Sequence, residues 1–474
     1  MGCRVYVHEA GDRFTREPMA DPRHRWADLD HNWHVAYWLH QGLLQHRSRT
    51  RSVDDADVIF VAHYFLHENP VSAPLFFGTP MLRWHEALRD GPRSLFNGSD
   101  ALMRRYAARP GDFVVAPILI ACGPVGASRW LDGARWIITE SHFGQCRYRR
   151  HHDIIAPQVV SSDVWRPRSR REQQSAAPRR ARAGPAAAGG RSGAFILYIG
   201  RLGKTYIEPP MSRLRFDLWS ALRTHPNVTF LATDAKQCVE PYLSPTSPPP
   251  CKRCGYGCKQ CIELTDGLGP YGAGVAPRIA SKDEYRARLA ASTFCLVLRG
   301  DNENSRKFTE TVLSGCIPVL IADMPGWPFD SRLDYREFSV EFDWRIASAD
   351  PASVVDHLLG IPAQRIAAMR RRLDAVRHRF FYHSDRRSGA VAELVTDMCA
   401  KRRNATPALL ARRDQRRHWD GLYNRRLAPM PTSRLSRASA ERVRRWVERT
   451  REAYGSGWNW RVPALERGDA SARG

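Results

Sequence analysis

No run of 18 or more apolar residues occurs in the 474-residue chain, so its sequence holds no stretch suited to a membrane-spanning helix. A signal-peptide pattern is missing as well. The opening MGCRVYVHEAGDRF has no charged segment leading into an apolar one, and it is expected to form a strand and a loop. Met1-Gly2-Cys3 has the look of an acylation start, which the strand expected over Arg4 to Val7 argues against. Walker A spacing is absent, and no G-x-G-x-x-G stands at the turn after Leu298, which excludes ATP and dinucleotide sites of those types there. No zinc-finger, helix-turn-helix or RNA-binding signature organises the basic residues. Acidic residues are few beside them: 49 Asp and Glu against 73 Lys and Arg, a formal charge of +24. That excess reads first as an Arg-rich background, and second as attraction to polyanions such as acidic glycans, nucleic acid or phosphate-bearing donors.

What is present is a globular composition, 43% hydrophobic and 10% aromatic, in a chain long enough for two domains. Residues 1–165 alternate short apolar runs with amphipathic stretches. VDDADVIFVAHYF (Val53 to Phe65), GDFVVAPILIA (Gly111 to Ala121), RWIITES (Arg135 to Ser141) and DIIAPQVV (Asp153 to Val160) carry strand signals. Strands separated by helix-length segments predict a parallel, doubly wound α/β sheet. Residues 166–193 break the pattern, with eight Arg, one Glu and no aliphatic or aromatic side chain beyond Ala. This is a linker or disordered insertion, because it has too little apolar surface to offset the cost of ordering. A second alternating region, 194–345, runs from AFILYIGR through a helix in SRLRFDLWSALRTH and a strand in NVTFLATD. It ends with a strand–helix–strand unit from Phe294 to Asp323. Residues 346–400 are expected to hold closing helices, with two between Pro351 and Met398. Residues 401–474 form a basic, Trp-containing tail, helical in part over SAERVRRWVERTREAY.

Eleven Cys are present, four of them in the loop 245–262: Cys251, Cys254, Cys258 and Cys261. Only three residues separate the two CxxC pairs, against about 15 to 20 in a zinc ribbon. A local disulfide knot in an oxidising compartment is the preferred reading; a structural metal or free thiols are the alternatives. Asn97, Asn227 and Asn404 open N-x-S/T triplets, which are compatible with a lumenal protein.

The segment FCLVLRGDNENSRKFTETVLSGCIPVLIAD concentrates the chemistry. FCLVL is a continuous apolar run, as a strand covered on both faces requires. Asn304 and Ser305 are N-cap types, Phe308 and Val312 form an i, i+4 apolar pair, and Gly315 ends the helix before IPVLIAD. A helix N-terminus at the carboxyl edge of a parallel sheet attracts phosphate. Arg299 beside it offers a fork of donors, and Glu310 is placed to accept the hydroxyls of a ribose. The plainer alternative is an exposed Arg306–Glu310 ion pair, a capping Ser305 and a surface Arg299.

This segment, extended through MPGWPF, resembles the signature of the exostosin family of glycosyltransferases. YVHEAGDRF, SRTRSVDDADVIFVAHYF, HDIIAPQV, YIGR and LDYREFSVEF agree in scattered blocks over most of residues 4–345. The resemblance implies a GT-B fold: two Rossmann-like doubly wound lobes facing a cleft, with the acceptor on the first lobe and a nucleotide-sugar on the second. It implies an inverting transferase that needs no metal or other cofactor, takes a donor such as a UDP-sugar, and moves the sugar to a glycan or glycoprotein. Carried over by position, Arg299 and Gly300 meet the diphosphate, Ser305 stands at the helix start, Lys307 is a basic helix position, Glu310 holds the ribose and Arg201 points into the cleft. A Golgi or other secretory-pathway membrane is implied, although the family's N-terminal anchor is not seen, so a fragment or a misassigned start is expected. Leu298 stands where the family has Pro. The catalytic base is unassigned; His63, Glu140 and His142 near strand ends are the candidates. A non-catalytic polyanion-binding protein and a pseudo-glycosyltransferase are the alternative functions.

Overall fold

A computed structural model describes residues 2–10, 35–62, 92–115, 133–139, 152–160, 194–200, 214–232, 236–241, 258–263, 281–298, 306–321, 326–382, 388–403 and 436–454. The first sheet has six strands: β1 (Val5–Glu9), β2 (Arg49–Thr50), β3 (Val58–Ala62), β4 (Phe113–Val115), β5 (Arg135–Ile138) and β6 (Ile154–Ile155). Helix α1 (Val35–Gln45) lies between β1 and β2 in the chain, and α2 (Pro92–Leu95) and α3 (Asp100–Ala108) between β3 and β4. Ser99 caps α3 by accepting from the Leu102 amide, as a short hydroxyl does at that position.

The second sheet is built from β7 (Ile196–Gly200), β8 (Val228–Ala232), β11 (Phe294–Leu298), β12 (Ile317–Ile321) and β13 (Val340–Phe342). Strands β9 (Lys236–Pro241) and β10 (Cys258–Glu263) form a separate antiparallel pair. Helices α4 (Leu214–Leu222), α5 (Lys282–Ala291) and α6 (Arg306–Ser314) connect the strands. Downstream come α7 (Trp344–Ala349), α8 (Pro351–Leu359), α9 (Ala363–Val376), α10 (Gly389–Arg403) and α11 (Arg437–Tyr454).

Both large sheets are parallel throughout, ordered β2-β1-β3-β4-β5-β6 and β13-β12-β11-β7-β8. In each, the first strand lies between the second and the third, so the chain reverses its winding direction there. The expected pair of Rossmann-like α/β sheets is what the described residues form. Period-two geometry explains the burial. Val58, Phe60 and Ala62 join one apolar cluster while Ile59 and Val61 join another. Leu197 and Ile199 face one way, Ile196 and Tyr198 the other. Strands apolar on both faces are what helices on both faces demand.

One cluster spans both sheets: Val5, Phe60 and Val114 share it with Ile199, Val297 and Phe308. Helix α10 packs against α1, β3 and β6. Disulfides join Cys3 to Cys399, ahead of β1 and on α10, and Cys295 to Cys316 across neighbouring strands. The sequence reading named neither pair; partners 396 residues apart, as in Cys3–Cys399, leave no local signal. Cys3 is thereby held in a disulfide and is not a free thiol.

Three helices, not two, lie in and beyond 351–398. Gly360 and Pro362 interrupt the first pair, and a 3₁₀ turn over Arg377–Phe380 ends the second helix. Leu359, near the end of α8, is 43% exposed. The tail helix α11 is real and placed: Val443 is buried, Arg442 bonds Asp350 at 2.8 Å, and Trp446 meets Trp344 edge-on. The four-cysteine loop lies largely outside the described residues; only the backbones of Cys258 and Cys261 in β10 are described.

Candidate functional site

Helix α6 follows β11 and so begins at the carboxyl edge of the second sheet. Its apolar stripe fixes it there: Phe308 and Val312 are fully buried, and Phe308 packs against Trp327, Tyr335 and Phe380 at 5.0–6.0 Å. Gly315, at φ 77°, makes the left-handed turn that returns the chain to β12, a conformation costly for a residue with a Cβ.

With that face buried, Arg306, Lys307 and Glu310 fall on the other side of the first turns. Arg306 Nε donates to Glu310 Oε1 at 2.8 Å, and Lys307 Nζ stands 3.8 Å from Oε2. Tyr285, on α5, completes the group. Its hydroxyl donates to Glu310 Oε2 and accepts from Lys307 Nζ, and the ammonium sits 4.3 Å from the ring centroid. Glu310 is buried. The surface ion pair offered as the plainer alternative is therefore half right: Arg306 and Glu310 do pair, but within a partly buried four-residue network centred on the buried Glu310.

Burial dominates the electrostatics. It pushes the Lys307 amine down to about 8, partly offset by Glu310, with Arg215 and Arg306 pressing further downward. Burial, then the Glu310 charge, holds the Tyr285 hydroxyl well above its usual range. Tyr198 on β7 contributes to the same field. A Cβ on Gly200 would lie 2.7 Å from the Tyr198 hydroxyl, so glycine at the end of β7 lets that hydroxyl reach the carboxyl edge. The network thus stands beside β7 and β11, where the winding reverses. In open parallel sheets that is where ligands bind.

The first sheet reverses between β1 and β3. There Glu9, the last residue of β1, is half-exposed, and His40 Nε2 of α1 stands 3.3 Å from its Oε1. His40 itself is buried; burial lowers its pKa, Glu9 raises it and Arg49 lowers it further. His8 turns to the other face, its Nε2 3.0 Å from the Leu95 carbonyl.

Of the residues singled out from sequence, Lys307 and Glu310 are brought together. Arg201, Arg299, Gly300 and Ser305 lie outside the described residues, as do His63, Glu140 and His142. Tyr285, Glu9 and His40 were missed. A tyrosine 22 residues ahead of Lys307 carries no spacing signal, and HEAG reads as an ordinary strand end. Among the described residues, no group of three or more His, Cys, Asp or Glu is arranged to hold a metal ion, and no helix is long and apolar enough to cross a membrane.

Comparison with known proteins gives a consistent picture. Residues 132–356, from the edge of β5 to α8, match the Exostosin GT47 domain. Exostosin-1 of Drosophila melanogaster is 37% identical over 98 residues, 21% of this chain and 12% of that one. A probable arabinosyltransferase of Arabidopsis thaliana is 32% identical over 117 residues, 24% of this chain and 26% of that one. A probable glucuronosyltransferase of Oryza sativa is 41% identical over 78 residues, 16% of this chain and 17% of that one. The matched stretch thus covers about an eighth to a quarter of these relatives' lengths.

Proposed function

We propose that the chain, whose residues 132–356 match the Exostosin GT47 domain, is a glycosyltransferase whose second sheet holds a nucleotide-sugar, a UDP-sugar by preference, at the network on α6. The observation that carries this reading is the joint emergence of Lys307 and Glu310 at the switch point beside β7 and β11. Lys307 and the helix N-terminus supply positive charge for a diphosphate. Each oxygen of the Glu310 carboxylate has two lone-pair sites, so beyond Tyr285 and Arg306 one site per oxygen is left for ribose hydroxyls. Arg201, Arg299, Gly300 and Ser305 are assigned to the same donor by the family resemblance. As the sugar–phosphate bond breaks, charge grows on the leaving diphosphate, and fixed donors oppose it at little reorganisation cost.

The reaction is taken to be inverting and metal-independent, with a glycan or glycoprotein as acceptor; activity in excess EDTA tests the second point. A secretory-pathway location is supported by the two disulfides, since reducing compartments disfavour them. The named relatives, a probable arabinosyltransferase and a probable glucuronosyltransferase, differ in the sugar moved, so the sugar itself is left to experiment.

The deciding measurement is thermal unfolding against UDP and a panel of UDP-sugars, for wild type, Arg299→Ala and Glu310→Ala. A ligand at 100 times its Kd should stabilise by about 2.7 kcal/mol. A shift with one UDP-sugar that both variants abolish is the expected result. A well-folded protein that no nucleotide shifts would sink the donor site, and steeply salt-dependent binding of acidic glycans would then favour the polyanion-binding protein.

A further inference from the structure

We infer that Glu9 is the general base that takes the proton of the acceptor hydroxyl, with His40 as its positioning residue. The inference rests on the transferase reading above and adds the residue that reading lacks. It starts from topology. Glu9 closes β1, the strand at which the first sheet reverses, and so lies at the carboxyl edge where a parallel sheet opens its crevice.

The segment that follows β6 packs near the base of α6. Val159 and Val160, a few residues past the carboxyl end of β6, share an apolar cluster with Phe308 and Val312 of α6. The Tyr382 hydroxyl donates to the Pro157 carbonyl at 3.0 Å, and Phe380, two residues earlier, packs on Phe308 at 5.7 Å. The carboxyl end of β6 is thereby linked, through Tyr382 and Phe380, to the helix that starts at the carboxyl edge of the second sheet.

The side-chain environment suits a base. The Glu9 side chain is 47% exposed, open to an incoming hydroxyl, while its partner His40 is 3% exposed. Burial lowers the His40 pKa against the opposing pull of Glu9, and its Nε2 stands 3.3 Å from one carboxylate oxygen, placed to steady it. Among the described residues, Arg49 on β2 and His8 on β1 also act on this pair. Fixing one oxygen leaves the other to meet the acceptor, the arrangement that general-base catalysis requires.

The step balances as follows. The acceptor oxygen bonds to the anomeric carbon as the bond from that carbon to the diphosphate oxygen breaks. The nucleoside diphosphate leaves with the electron pair, and Glu9 receives the hydroxyl proton. Attack from the face opposite the leaving group inverts the anomeric centre.

The test follows UDP release from the UDP-sugar selected by thermal shift, in the presence of a glycan acceptor. Glu9→Gln should lower kcat by about 10²- to 10⁴-fold while the UDP-induced thermal shift stays as in wild type. Formate should restore turnover to Glu9→Ala, and His40→Asn should lower kcat with little change in donor KM. Turnover of Glu9→Gln within about tenfold of wild type, a value below the range expected for a lost base, would overturn the assignment. So would the absence of formate rescue in a Glu9→Ala protein that still binds UDP. Should Glu9→Gln lose the UDP shift, the formate experiment and His40→Asn decide. If wild type itself neither binds nor turns over any UDP-sugar, the transferase reading fails first, and the two failures are distinguishable.

Discussion

The two sheets are wound alike, yet their switch points are furnished differently. Beside β7 and β11 four side chains close on one another: Arg306 and Tyr285 on Glu310, Lys307 on Tyr285. Among the described residues beside β1 and β3, a half-exposed carboxylate leans on a buried imidazole. A closed network resists rearrangement and holds a fixed pattern of charge, which suits gripping a ligand. A half-open carboxylate keeps a free lone pair for a proton, which suits reacting. The same topology can therefore divide binding and chemistry between its two copies, because topology sets only where the edge lies and side chains set what happens there.

Removing the support of the closed network should separate the two most sharply. Phe308→Ala deletes a fully buried ring beneath Lys307 and Glu310 and should cost about 3–5 kcal/mol of stability, read as a lower denaturant midpoint. Glu9 and His40, carried by β1 and α1, should keep their contact in this variant. Equal disruption of both sites, seen by hydrogen exchange across β1, would mean the sheets unfold as one unit.

Lys307→Met comes next. Losing a donor on the leaving group should lower turnover roughly 10²- to 10³-fold with little loss of stability, since Arg306 and Tyr285 still bond Glu310. A marked drop in the melting temperature together with intact turnover would recast Lys307 as a structural cation. Tyr285→Phe is milder. It removes the bond to Glu310 and the acceptor of Lys307, so donor KM should rise roughly 10- to 100-fold, from about 1.5–3 kcal/mol per hydrogen bond to a charged group. A fall in kcat alone would shift Tyr285 from the grip to the chemistry.

The smallest effect is in pH. The folded-state pKa of Lys307, about 8, lies below its ordinary value of 10.5. In that window the unfolded chain binds more protons than the folded one, so this group's contribution to stability rises as pH increases from about 8 to 10.5. UDP affinity should run the opposite way, weakening as the amine loses its charge above pH 8. Lys307→Met should remove both trends; titration of UDP binding and of the denaturant midpoint over pH 7–10 would show it.

Much of this was legible in the chain. FCLVL and IPVLI announce doubly covered strands and appear as β11 and β12. The Phe308–Val312 pair foretold which face of α6 is buried, and hence that Lys307 and Glu310 share the other. The pairing of Cys3 with Cys399, the seat of α11 on α7 and the break between α9 and α10 were not legible, since each depends on segments distant in sequence.

The sequence by itself determined the period-two and helical patterns, the Gly315 stop and the basic start of α6, because these follow from backbone sterics and the nearest neighbours along the chain. Only the tertiary structure decided that Tyr285 would close on Lys307 and Glu310, and that His40 would stand beside Glu9. Parallel strands are joined by crossovers that carry the chain over the sheet and back to the same edge, so residues far apart in sequence meet there.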